Sequence, residues 1–141
     1  MIFLPRKFVK TFILGFCFLF MFACSETERE TIVTGQVVED GSGKPLNEAC
    51  VVLFGLVDYG FTKGSEAVEK YALEVDEQGR FSTRILHPDI DYFVLEVSLA
   101  EDGRCAHDND YLKFLDRYCY PDNCSDILAG KQHSLEVKVI H

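Results

Sequence analysis

The sequence predicts an all-β sandwich of about seven strands carrying a disulfide-braced, partly helical insertion. Three observations predict it. Apolar and polar residues alternate at period two through six or seven short segments. Clusters of Gly, Pro, Asp and Asn separate those segments at the spacing usual for strands. One stretch, residues 100–131, breaks the alternation and holds three of the six cysteines.

The segments follow in order. "TIVTGQVVED" places Val33, Gly35 and Val37 on one side. "GSGKP" is a turn by composition. "NEACVVLFGLV" is rich in β-branched residues, with Ala49, Val51 and Leu53 on one face and Cys50, Val52 and Phe54 on the other. "AVEKYALEVD" reads as a third strand that offers Val68, Tyr71 or Ala72, Leu73 and Val75 to the core. "EQG" turns the chain into "RFSTRIL", where Phe81, Thr83 and Ile85 align. "DYFVLEVSL" aligns Phe93, Leu95, Val97 and Leu99, and "SLEVKVI" aligns Leu135, Val137 and Val139. Only "NDYLKFLDRY" has helical spacing, with Tyr111, Phe114, Leu115 and Tyr118 in one stripe.

Residues 1–23 read as an export signal. Arg6, Lys7 and Lys10 form a basic end, and Thr11 to Ala23 form an apolar run of about a dozen residues. That run falls short of the roughly 20 residues needed to span a bilayer and matches a secretory signal. Met21, Phe22 and Ala23 before Cys24 resemble the junction of a bacterial lipoprotein signal. The resemblance implies a diacylglycerol on the Cys24 thiol, cleavage before it, and a further acyl chain such as palmitate on the new amino end. It also implies a lipid-anchored protein of the cell envelope, at the outer membrane, on its periplasmic or its surface face. A plain secretory signal and a short uncleaved anchor are the rival readings. Residues 24–30 then form a polar tether, and residues 31–141 the domain.

Without residues 1–23, eleven Lys and Arg face 23 Asp and Glu, a net charge of −12. Such a surface repels phosphate backbones, so nucleic acid is not an expected partner. Cys50, Cys105, Cys119 and Cys124 form an even set in an exported domain, which implies up to two disulfides. The turn in "YCYPDNC" favours Cys119–Cys124, leaving Cys50–Cys105, with Cys105 to either later cysteine still open. A zinc site with His107 or His133 is the rival reading, and it lacks paired C-x-x-C spacing.

A second resemblance covers residues 31–99. Val33, Gly35 and Val37, then Pro45 and Leu46, then Ala49, Val51 and Leu53, then Val75, Asp76, Gly79 and Phe81 resemble the carboxypeptidase-regulatory-like domain. That family is a transthyretin-like sandwich, akin to immunoglobulin-like architectures. The resemblance implies a fold and no chemistry, and it does not extend over residues 100–131.

Enzymatic constellations are thin. His87, His107, His133 and His141 are scattered, and no G-x-S-x-G, H-E-x-x-H or phosphate loop occurs. Asp89 and Asp91 read as solvated loop carboxylates. "HDND" at 107–110 reads as a capping turn, through Asp108 or Asn109, rather than a calcium loop. The chain is therefore expected not to be an enzyme and to need no cofactor or metal. It is expected to be a binding or assembly module for an envelope protein or a glycan. The expected surface is the 100–131 segment with Tyr111, Phe114, Tyr118 and Tyr120, because loops on rigid scaffolds tend to carry binding. A purely structural spacer in an envelope complex is the first alternative, and a secreted enzyme of unrecognised type the second.

Overall fold

The structure is a computed structural model and describes residues 28–87, 89–101, 103–105 and 114–140. Eight strands form in chain order: β1 (Arg29–Glu39), β2 (Ala49–Asp58), β3 (Ser65–Leu73), β4 (Arg80–His87), β5 (Tyr92–Leu99), β6 (Arg117–Tyr120), β7 (Ile127–Leu128) and β8 (Gln132–Val139). They build two four-stranded sheets, β4-β1-β8-β6 and β3-β2-β5-β7. Every named strand pair is antiparallel except β1 with β8, which run parallel.

The period-two pattern decides which residues meet between the sheets. Val33 and Val37 of β1, Leu53 of β2, Phe93, Leu95 and Val97 of β5, and Val137 and Val139 of β8 are wholly buried. Burying each large side chain contributes about 1.5–3 kcal/mol. Two glycines are required by close approach. At Gly35 an added Cβ would lie 2.5 Å from Phe81 Cζ and 2.7 Å from the Leu135 carbonyl oxygen. At Gly79 the backbone has φ +72°, and a Cβ would lie 2.6 Å from the Val37 carbonyl oxygen. Asp76 shapes that same turn: its Oδ1 accepts the N–H groups of Gln78 (2.9 Å) and Arg80 (2.8 Å).

Residues 114–128 close one side of the sandwich. The Leu115 N–H donates to the Val97 carbonyl (2.8 Å), and the Leu95 N–H donates to the Cys124 carbonyl (2.7 Å), so both groups continue along the edge of β5 that β7 begins to cover. Between these points the chain crosses to the other sheet and pairs with β8 as β6. Arg117, on β6, reaches back across: Nε donates to the Leu95 carbonyl (2.8 Å), and Nη2 lies 2.7 Å from Glu96 Oε1. Disulfides join Cys119 to Cys124 and Cys50 to Cys105. Structural disulfides belong to an oxidising compartment outside the cytoplasm. Among the described residues no helix is long and apolar enough to cross a membrane.

Three expectations are corrected. The described residues contain no helix: Tyr118, the last member of the expected helical stripe, lies in β6. The physical reason is that β8 offers an open edge there, and the pairing of Cys119 with Val137 aims that cysteine at the core. The earlier part of the stripe, 109–113, is outside the described residues. Val68 and Ala72 are exposed, because β3 is the end strand of its sheet; Leu73 is buried, and Tyr71 and Val75 are half-buried. Among the described residues the strand count is eight, since the insertion itself supplies β6 and β7.

Candidate functional site

The alternation of β6 places Tyr118 and Tyr120 on the outer face of the first sheet, with Cys119 turned inward. The register across the sheet sets their neighbours. Arg80 of β4 pairs with Gln36 of β1, Gln36 with Glu136 of β8, and Glu136 with Tyr120 of β6. Four outward side chains therefore form one row across the sheet, roughly 14 Å long at the usual strand spacing. Ser82, Thr34 and Ser134 form a shorter row beside it.

These rows floor an open groove of about 920 Å³, with Tyr120 and Pro121 along one side and Glu74 to Asp76 along another. Tyr120 is 71% exposed, so its ring is available to a ligand. Gln36 is held in place: its Nε2 donates to the Gln78 carbonyl (2.8 Å). Glu136 lies 3.4 Å from Lys138 Nζ. Tyr118 is engaged differently. Its hydroxyl donates to Asp40, and that hydrogen bond is the first cause holding the phenol above its usual pKa. Lys138 Nζ lies over the Tyr118 ring at 5.8 Å.

The four aromatic residues expected to act together are thus divided. Tyr118 and Tyr120 share a face. Phe114, outside any strand, lies against the other sheet, where its ring meets Phe54 of β2 edge-on at 6.2 Å. Tyr111 lies outside the described residues, as do Cys24, His107, Asp108 and Asn109. The remaining groove residues, Arg80, Gln36 and Glu136, escaped the sequence reading; their signal was the polar half of the strand alternation, which reads as a solvated face.

Comparison with known proteins gives a distant likeness only. No family model matches the chain. No curated protein matches it. Among solved structures it is similar to chlorocatechol 1,2-dioxygenase from Pseudomonas putida, at 14% identity and TM-score 0.42, over 85% of this chain and 63% of that one. It is also similar to 3-chlorocatechol 1,2-dioxygenase from Rhodococcus opacus 1CP, at 12% identity and TM-score 0.38, over 83% of this chain and 62% of that one. The chain thus spans less than two thirds of the length of either. Both neighbours are named as enzymes, and the expectation that this chain is not one is withdrawn without an activity to put in its place. A likeness of this degree passes no activity to it.

The described residues among those weighed for metals are otherwise engaged. All four cysteines of the domain are in disulfides, which leaves no thiolate among them for zinc. His133 Nδ1 lies 2.7 Å from Asp122 Oδ2, and its Nε2 lies 2.8 Å from the Leu128 carbonyl oxygen. Among the described residues no group of three or more His, Cys, Asp or Glu is gathered for a metal. Asp91 is an exposed loop carboxylate, as expected, and also a structural acceptor: its Oδ2 takes the Asp58 N–H at 2.8 Å.

A second cavity, of about 720 Å³, opens at the end of the sandwich where β1 begins. Arg29, Tyr59, Val68, Tyr71, His87 and Ile90 are among its lining residues. His87 is buried, with Nε2 on Thr31 Oγ1 (2.8 Å) and Nδ1 without a partner among the described residues. Burial, with a smaller push from Arg29, holds its imidazole below the usual pKa.

Proposed function

We propose that the protein is a lipid-anchored envelope protein whose β6 segment, together with the outer face of its first sheet, binds glycan. The single observation that carries this reading is the row Arg80–Gln36–Glu136–Tyr120 along the groove. A guanidinium, an amide and a carboxylate present planar donors and acceptors to sugar hydroxyls, and the exposed phenol ring presents a flat apolar surface to the sugar's C–H face. A protein partner would call for a larger apolar centre than this groove supplies.

The anchor is the lipid on Cys24, at the outer membrane, and the domain is of the carboxypeptidase-regulatory-like, transthyretin-like kind. The two disulfides support export, and Gly35, Asp76, Gly79 and Phe81 support the domain type by packing as one turn-and-core unit. The test is a glycan array probed with the full lipidated chain. Saturable binding is expected, weakened at least about tenfold, or 1.4 kcal/mol, by Tyr120→Ala and by Arg80→Ala. Absence of saturable binding, or binding indifferent to both substitutions, overturns the glycan reading. Release of a Cys24→Ala protein from membranes tests the anchor separately.

A further inference from the structure

From the end of the sandwich where β1 begins, we infer that the domain seats on a zwitterionic phospholipid surface through an apolar tip formed by Tyr59, Phe61, Leu86 and Leu128. The strand directions bring these residues together. β1 starts at Arg29, which pairs with His87 at the end of β4. β2 ends at Asp58, β3 begins at Ser65, and the connection between them carries Tyr59 and Phe61 at the same end, since Tyr59 lines one cavity with Arg29 and His87. Leu128 joins them through β7, beside Tyr92.

Phe61 has the exposure of an isolated residue, 108%, and Leu86 is 60% exposed. A fully exposed Phe at a hairpin tip contributes nothing to the core of its own domain. Tyr59 and Leu128 are nearly half exposed. Lys63 Nζ lies 4.0 Å from the centre of the Tyr59 ring. Phe at depth, with Tyr and Lys at headgroup level, is the arrangement that interfacial membrane contacts use.

The length of the preceding chain says what this tip faces. Five residue steps separate Cys24 from Arg29. Fully extended, they reach at most about 17 Å. The inference rests on the proposed lipid at Cys24: a lipid there holds this end of the domain, and not the groove, within headgroup range. Charge selects the kind of surface. Lys63 is matched by Glu66 at 3.6 Å, and Arg29 shares its cavity with Glu69, Asp89 and Asp91, with Asp58 beside Asp91, so the end has no surplus of positive charge for anionic lipid.

The chain has no tryptophan, so Phe61→Trp is a single reporter at an exposed site. Ser42→Trp, in the exposed turn after β1, reports the opposite end. Each full-length lipidated variant is reconstituted into phosphatidylcholine vesicles with brominated acyl chains. Trp at 61 should be quenched at least about twofold, because interfacial side chains sit roughly 5–10 Å into the headgroup and acyl boundary. Trp at 42 should be unaffected. No quenching at 61, or equal quenching at 42 and 61, overturns the inference. Sedimentation of the same samples with the vesicles reads the anchor alone: protein that pellets unquenched refutes the seat, and protein that stays in solution refutes the anchor as well.

Discussion

Opening the Cys50–Cys105 bridge should cost about as much as the cross-linked loop is long. The bridge links positions 55 residues apart and so closes β2, β3, β4 and β5 into one loop. Chain-entropy reasoning assigns such a loop roughly 4 kcal/mol at 25 °C. The native side adds little. The Cα–Cα distance of 5.6 Å is ordinary for a disulfide, and Cys50 is already packed against its neighbours. Removing the buried sulfur adds under about 1 kcal/mol. The double substitution Cys50→Ala/Cys105→Ala is therefore expected to lose about 4 kcal/mol in urea unfolding and to lower Tm by roughly 15 °C. The urea m value should rise at the same time, because an uncross-linked unfolded chain exposes more surface. A loss below about 1.5 kcal/mol with an unchanged m value would refute the reasoning, since the bridge would then act on the native state alone.

Three further outcomes are expected. Gly79→Ala forces a side chain into φ +72° against the Val37 carbonyl, and should cost about 2–3 kcal/mol by urea unfolding. Arg117→Met keeps the aliphatic stem but strips Glu96 and the Leu95 carbonyl of their donor; a loss of about 1.5–3 kcal/mol is expected, partly restored by Arg117→Lys. His87 titrates below its usual value when folded, so the unfolded chain binds more protons between that lowered value and about 6.5. Stability should therefore fall as pH drops through about 6.5 and be indifferent to His87 above it. His87→Gln should flatten that fall when urea midpoints at neutral and acid pH are compared, and an identical fall in both proteins would refute the assignment.

Five strands were legible: burial on one face dictates period two in β1, β4, β5 and β8, and β2, buried on both faces, stood out by its β-branched run. β1, β2, β4, β5 and β8 carry their expected inward residues, with Gly35, Thr83 and Leu99 only half-buried. β3 was legible as a strand but not in its burial, since nothing local says that it ends its sheet. β6 was illegible for a stronger reason. "NDYLKFLDRY" has helical spacing, and only pairing with β8, far along the chain, makes its last residues extended. The parallel pairing of β1 with β8 is likewise a property of topology that no local pattern records. The groove was half legible. Tyr118 and Tyr120 stood out as aromatics in a polar loop, whereas Gln36, Arg80 and Glu136 become a site only once register aligns them.

That alignment bears on how an anchored binder would work. Gln36 lies seven residues along β1 from Arg29. A strand rises about 3.3 Å per residue, so the groove stands roughly 23 Å from the end nearest the proposed anchor. β1 is an interior strand, paired on both sides by β4 and β8. It cannot bend locally without breaking a ladder, so the distance from the groove to the apolar tip is set by the sheet. On the proposed reading, a tether this short trades reach for orientation. It keeps the apolar tip at the membrane and turns the polar rows toward whatever chain of sugars lies above it.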